Sequence, residues 1–447
     1  MGVNHVVYGG STLVDLRDST VTAATLAAGA TAYNAAGNKI TGTMVGYTGD
    51  FLEKERLFEI LGIVEKTIED YFEPLEYIVS TGAQYIDTGI AVSDDLTVEM
   101  AFTLPHDQQY VSLFGSQSGS SWSIVPHYYD GGVEFYVGTG GGGKLKTSLS
   151  IGESHSLEVA ASGGTLTVTI DGVTQSTSYT TPLNSTDSIY IFTSNFSGED
   201  QSADMILTSC RIKSGGSVLR DYVPRRRILD GAVGLLDLAN GVFYESASGV
   251  AFLAPGELPS GYTRLEYIES TGSGYINTGF APNQDTRVVI DVQPTSSVSG
   301  QTFVFGTRNT ASPSATLAYT FAFLNDAQVR SDFFGSSVTL SGSFIQRLLI
   351  DKNKNTCTVN GEVIENSAKT GQATLPIFLM SLNNTGAAGT YLKGLLYSCQ
   401  IYDNGTIVRD YIPVKNSSGV AGLFDMVGMT FYASASSTAF VAGPVAE

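Results

Sequence analysis

Leu75-Glu76-Tyr77-Ile78, Ser80-Thr81-Gly82 and Tyr85-Ile86-Asp87-Thr88-Gly89 return almost unchanged as Leu265-Glu266-Tyr267-Ile268, Ser270-Thr271-Gly272 and Tyr275-Ile276-Asn277-Thr278-Gly279, 190 residues further on. Beyond that block, Phe114-Gly115 recurs as Phe305-Gly306, Asp171-Gly172 as Asn360-Gly361, and Arg220-Asp221-Tyr222-Val223-Pro224 as Arg409-Asp410-Tyr411-Ile412-Pro413. Gly234-Leu235-Leu236-Asp237 with Phe243-Tyr244 ends the first copy, and Gly422-Leu423-Phe424-Asp425 with Phe431-Tyr432 ends the second. The offset drifts only between 188 and 191, so the copies have equal length with small loop changes. Solenoid repeats run only about 20–50 residues, so a period this long marks a duplicated domain.

Inside each copy the text reads as short strands broken by turns. Thr165-Leu166-Thr167-Val168-Thr169-Ile170 runs into Asp171-Gly172, and Thr356-Cys357-Thr358-Val359 runs into Asn360-Gly361. A β-branched, alternating run ending in Asp-Gly or Asn-Gly signals a hairpin. The 50 glycines, 23 tyrosines and 22 phenylalanines, against 15% charged residues, suit sheets and tight turns better than helical bundles. The predicted fold is mainly β, with two tandem jelly-roll β-sandwiches at residues 74–256 and 257–447. Cys210 and Cys399 share one repeat position and read as small buried hydrophobes on a core strand.

Charge and cysteine usage exclude several function classes. With 24 Lys+Arg against 43 Asp+Glu the net charge is −19, which repels phosphate backbones and anionic membranes. Three cysteines, widely spaced and with no CxxC pair, build neither a disulfide framework nor a zinc site. No apolar run reaches the length of a membrane span, so no membrane insertion is expected. The first ten residues lack the basic and apolar regions of a secretory signal, so folding in the cytoplasm is expected.

The remaining segments differ in character. Residues 1–50, with Val7-Tyr8-Gly9-Gly10 and Gly37-Asn38-Lys39-Ile40-Thr41-Gly42, form a small Ala/Gly/Thr-rich module. It is too small to bury a core alone and is expected to fold against copies of itself or a larger assembly. Residues 51–73 read as a short helical neck. Leu57, Leu61, Val64 and Ile68 fall at alternating steps of four and three, a heptad seam that predicts a homotrimer. A monomeric helix lying on the next domain fits the same spacing.

The paired blocks resemble the concanavalin A-like lectin/glucanase superfamily, including laminin-G-like domains, over roughly Pro74 to Gly256 and Pro259 to Pro444. The opening and closing blocks look like those of domains in phage and Gram-positive structural proteins. Residues 1–50 look like a short element near the ends of phage tail, fibre and baseplate proteins. The resemblance implies a virion protein assembled in the host cytoplasm and attached to other virion proteins through residues 1–50. Its sandwiches would adhere to a host surface glycan or envelope polymer, as a tail fibre or receptor-binding protein. A capsid-decorating head fibre, or a structural spacer without a sugar site, is the alternative.

The motifs do not favour an enzyme. Glucanases on this fold carry Glu-x-Asp-x-x-Glu along one strand, and no such run occurs. His5, His106, His127 and His155 are scattered, and none has a partner in the other repeat. Gly138-Thr139-Gly140-Gly141-Gly142-Gly143-Lys144 imitates a phosphate loop, but Leu145 stands where Ser or Thr belongs, and the flanks read as a hairpin. No cofactor is expected. Asp87/Asn277 and Asp95/Asp285 are either Ca²⁺ ligands or turn caps. For sugar binding, which wants aromatic rings beside amides and carboxylates, the candidates are Trp122, Tyr128, Tyr129, Asp130, Asn195, Asn383 and Asn384, with His127 alongside.

Overall fold

The computed structural model describes residues 5–8, 11–17, 19–23, 31–41, 67–118, 121–139, 143–180, 183–196, 198–309 and 317–446. Within the first 50 residues these comprise two small antiparallel pairs, His5–Tyr8 with Ser11–Asp15 and Thr31–Tyr33 with Lys39–Thr41. Leu57, Leu61 and Val64 of the expected seam lie outside the described residues. Ile68, expected beside them, begins a single 3₁₀ turn, Ile68–Asp70. It packs with Tyr71 against Phe72, Val223, Leu236 and Phe243 on the outside of the first sandwich.

The two repeats are the same jelly-roll sandwich along the main path of both sheets. The larger sheet of the first runs in the order 173–178, 165–170, 154–162, 96–103, 204–214, 217–227, 233–237, 243–244. That of the second runs 362–365, 356–359, 348–353, 287–294, 393–403, 406–415, 421–425, 430–433. The smaller sheets correspond as well: 143–148, 132–139, 121–129, 114–118, 184–191, 86–93 against 336–341, 328–333, 319–325, 302–308, 378–379, 276–277. Inward side chains alternate along the strands, as Leu96, Val98, Met100 and Phe102 do, and fill one core per repeat. Cys210 and Cys399 are buried in matching places, and burial raises both thiols.

The recurring blocks fasten the edge of the smaller sheet and tie it to the larger one. Thr88 and Thr278 hydroxyls donate 2.8 Å bonds to the carbonyls of Ile189 and Ile377. Asp87 and Asn277 accept from the amides of Gly89 and Gly279 at 2.9 and 3.1 Å, so they cap turns. Those glycines sit at φ 66° and 68°, and a Cβ there would meet the guanidinium of Arg220 or Arg409 at about van der Waals distance. Each arginine reaches from the larger sheet to the carbonyl of Thr88 or Thr278 on the opposite edge, at 3.1 and 3.2 Å. Its Nε also lies 3.5 Å from a fully buried carboxylate, Asp237 or Asp425. The other oxygen of that carboxylate accepts two backbone amides, Asp221 and Ala239 in one repeat and Asp410 and Val427 in the other. The spacing alone pairs Arg220 with Asp221. In the fold Asp221 belongs to Arg211, at 2.8 Å.

The repeats touch at His106. Its Nε2 is 3.2 Å from Asp204 within the first repeat, and its Nδ1 is 3.3 Å from the carbonyl of Gly428 in the second. One core position has diverged sharply. Val159 pairs with Val98 in the first repeat, and Lys352 pairs with Val288 in the second. Lys352 is fully buried, donates to Ser331 Oγ at 2.5 Å, and lies 4.9 Å from the ring centre of Tyr319. Burial pulls its pKa from 10.5 to about 8.

Two stability experiments follow, each read by chemical unfolding of the full chain. Burial lifts the Asp425 carboxyl above its ordinary 3.8, so the folded form holds its proton more tightly and the fold loses stability as pH rises past that value. Removing the cation enlarges the lift. Arg409→Met is therefore expected to cost the second repeat about 3–5 kcal/mol at neutral pH and visibly less in mild acid. For Lys352 the unfolded chain binds the proton more tightly, so second-repeat stability should rise, by up to about 3 kcal/mol, as pH climbs from 8 to 10.5. Lys352→Met should abolish that rise.

Candidate functional site

The hairpin of Ser121–Tyr129 and Gly132–Thr139 turns at Asp130-Gly131, and its register decides which side chains share a face. Tyr129 stands opposite Gly132, His127 opposite Glu134, and Val125 opposite Tyr136. The next strand adds Lys146 opposite Glu134 and Lys144 opposite Tyr136. Tyr128, Val133, Phe135 and Val137 point the other way, into the core. His127, Tyr129, Glu134, Tyr136, Lys144 and Lys146 thus line the outer face of the smaller sheet.

Tyr110 completes this face from the loop before Val111–Ser112. It is 56% exposed and sits at φ 58°, a left-handed conformation that costs a bulky side chain about 1–3 kcal/mol. Its ring lies 4.6 Å from that of Tyr129, and it meets His127 edge-on at 5.8 Å. Lys146 Nζ lies 5.4 Å from the Tyr129 ring centre and Lys144 Nζ 4.9 Å from that of Tyr136. Glu134 is the polar centre. It accepts the Tyr136 hydroxyl at 2.5 Å, lies 2.8 Å from Lys144 Nζ and 3.8 Å from Lys146 Nζ. Lys144 first, then the Tyr136 hydroxyl, holds its carboxyl below the usual range. Aromatic edges thus surround a carboxylate that stays ionised at neutral pH.

The sequence candidates scatter around this face. Tyr129 is on it, and Asp130 is at its rim, on the hairpin turn with its carboxylate 3.8 Å from Lys146. Trp122 lies on the same strand opposite Gln117, and its side chain is not among those described. Tyr128 is 1% exposed and spends its hydroxyl on Asp107 at 2.9 Å, which removes it from any surface role. Asn195 and Asn383 are also buried, and they are loop fasteners. Their amides donate to the carbonyls of Ser188 and Pro376 at 2.9 Å, and their oxygens accept from Gly198 and Gly386. Asn384 is half-buried and accepts from Arg308 Nε at 3.1 Å. Sequence reasoning missed Tyr110, Glu134, Tyr136, Lys144 and Lys146. The Asp-Gly turn carried the signal for two of them, because it sets Glu134 and Tyr136 beside His127 and Val125.

Asp95 accepts the Ser162 hydroxyl and Asp285 lies 2.8 Å from Lys354 Nζ, so both have protein partners. Among the described residues no three His, Cys, Asp or Glu side chains gather as a metal-holding group. His155, the other buried histidine, lies 2.6 Å from Asp171 and 2.7 Å from the Ser150 carbonyl. It braces the hairpin at Asp171-Gly172.

No family model and no curated protein matches the chain. Among solved structures it is similar to domains LG4-5 of the mouse laminin alpha1 chain, at 12% identity and TM-score 0.29, over 75% of this chain and 93% of that one. It is similar to a mutant of the NanB sialidase of Streptococcus pneumoniae at 11% identity and TM-score 0.26, over 82% and 74%. The binding domain of Botulinum Neurotoxin DC, solved in complex with SialylT, is similar at 8% identity and TM-score 0.23, over 81% and 84%.

Proposed function

We propose that this chain is a non-enzymatic adhesion protein, a tail fibre or receptor-binding protein of a phage virion, that holds a host surface glycan on the outer face of the first repeat's smaller sheet. Tyr110 carries the reading. Its ring is 56% exposed and lies 4.6 Å from that of Tyr129, so the side chain is spent on a surface aromatic pair and not on the core. The Tyr110–Tyr129 pair offers edges and faces for the C–H side of a sugar ring. Beside it the exposed Asp130 accepts from sugar hydroxyls, and Lys144 and Lys146, held in place by the buried Glu134, can donate. A glycosidase acid needs a carboxyl lifted toward neutrality, and Glu134 is shifted the other way.

The virion setting rests on the resemblance of the paired blocks and of residues 1–50. The neck, with Leu57, Leu61 and Val64, would gather the chains into trimers, so that weak sites act by avidity.

The test is retention of host-envelope glycans on a glycan array, full chain against Tyr110→Gly. The variant relieves backbone strain but loses the ring contact with Tyr129, so its stability should stay within about 1 kcal/mol of the parent. Its glycan affinity should fall at least tenfold. If the parent retains no glycan, or if the variant binds as well, the adhesion reading is wrong and a spacer remains. Turnover of a retained polysaccharide would overturn the non-enzymatic part alone.

A further inference from the structure

The outer face of the second repeat's smaller sheet repeats the backbone of the first but not its chemistry. Gly115 and Gly306 share φ 154° and the same register, so Arg308 falls where Gln117 stands in the first repeat. Matching the hairpins at Val133 and Val329 sets Arg330 at the place of Glu134 and Asp332 at that of Tyr136. Two cations and one anion therefore occupy a face that carries a glutamate, a tyrosine and an amide in the other copy.

The anion is already saturated. Asp332 is 1% exposed and accepts the hydroxyls of Thr320 at 2.7 Å and Ser337 at 2.6 Å, with Arg330 Nε 3.0 Å away. Arg330 is not saturated. Its side chain is 12% exposed, yet Nη2 is buried with no hydrogen-bond partner. A buried donor in that state has lost its water without gaining a replacement. Arg308 gives its Nε to Asn384 and folds over the ring of Phe303, 5.9 Å from its centre. Phe303 and Arg330 flank Ala322 on either side, so a small side chain lies between the two arginines' supports. The Arg308 guanidinium lies over Phe303, Phe303 stands opposite Ala322, and Ala322 stands opposite Arg330, so both arginines reach one part of the face. Burial first, and then the charge of Arg330, lowers the Arg308 pKa from its ordinary 12.5. One positive charge is left uncompensated here, on a chain with a net charge of −19.

We propose that this face is a second binding site, in which Arg308 and Arg330 take the carboxylate of an acidic sugar residue of the uronic-acid type. A guanidinium fork matches a carboxylate in plane and in spacing. One carboxylate also cancels the single uncompensated charge, whereas a doubly charged phosphate overshoots it and meets the repulsion of the whole acidic surface. The amide of Asn384 is placed to meet a neighbouring hydroxyl. The site stands independently of the aromatic face in the first repeat, and the two together would read a polymer with both neutral and acidic sugars.

Calorimetric titration of the full chain with tetragalacturonate, maltotetraose and inorganic phosphate tests this. Tetragalacturonate should bind, and more weakly as salt is raised. Arg308→Gln, at a half-buried position, should weaken it at least tenfold without altering the unfolding midpoint. Arg330→Lys, which keeps the charge but loses the fork, should also weaken it. Tyr110→Gly should leave uronide binding unchanged even where it abolishes binding at the first repeat. The proposal is overturned if tetragalacturonate does not bind, if maltotetraose or phosphate binds as tightly, or if Arg308→Gln binds as the parent does.

Discussion

A buried arginine–aspartate pair, made once in each repeat, is the constraint on which the architecture rests. A sandwich of two sheets is held chiefly by apolar side chains, which fix how much surface is buried but only loosely how one sheet is set over the other. Arg220 and Arg409 supply what those contacts lack. Each spans from the larger sheet to a carbonyl on the edge strand of the smaller one, with its charge beside a carboxylate wholly out of water. Leaving either partner alone in that place is costly, so the edge strand is locked at one position. Tyr222 and Tyr411, buried next to the pair, meet Tyr244 and Tyr432 at right angles and 5.3 Å in both copies. The closing Phe-Tyr of each block is the far wall of the same device.

Against that shared frame the outer faces have diverged. Where the frame needs a residue, the copies agree in kind and often in distance to a tenth of an ångström. Where the sheet only presents side chains outward, Arg330 stands at the register position of Glu134 and Asp332 at that of Tyr136. Duplication with this pattern separates two demands on one sequence. The inward and edge-bridging positions serve the fold, and the outward ones are free to take different chemistry.

Much of the fold was legible because its signals are local and doubled. Asp171-Gly172 and Asn360-Gly361 mark hairpins by turn geometry alone, and finding both at one repeat position removes the ambiguity of a single motif. The candidate site was less legible. Tyr128 and Tyr129 are neighbours in sequence and opposites in space, and only the register counted from Asp130-Gly131 tells them apart. Tyr110 reaches the face from a loop, where no periodicity applies. Asn195 and Asn383 look like ligand amides because their sequence neighbours are polar, but they end or lie within short strands whose turns must satisfy their own buried backbone groups, and that need takes both ends of the amide. The pairing of Arg220 with Asp237 joins residues 17 apart across two strands, and the adjacent Asp221 concealed it.

Each repeat also stitches its end to its beginning. Val79 and Leu253 exchange backbone bonds at 2.9 and 3.1 Å in the first. In the second, Val441–Ala442 pairs with Ile268–Thr271, and Val445 bridges to Leu265. Chain enters and leaves at one corner. Tension drawn through the chain would be met first at that corner, by the strands of the larger sheet that close each repeat, and not by the smaller sheet with its outward face.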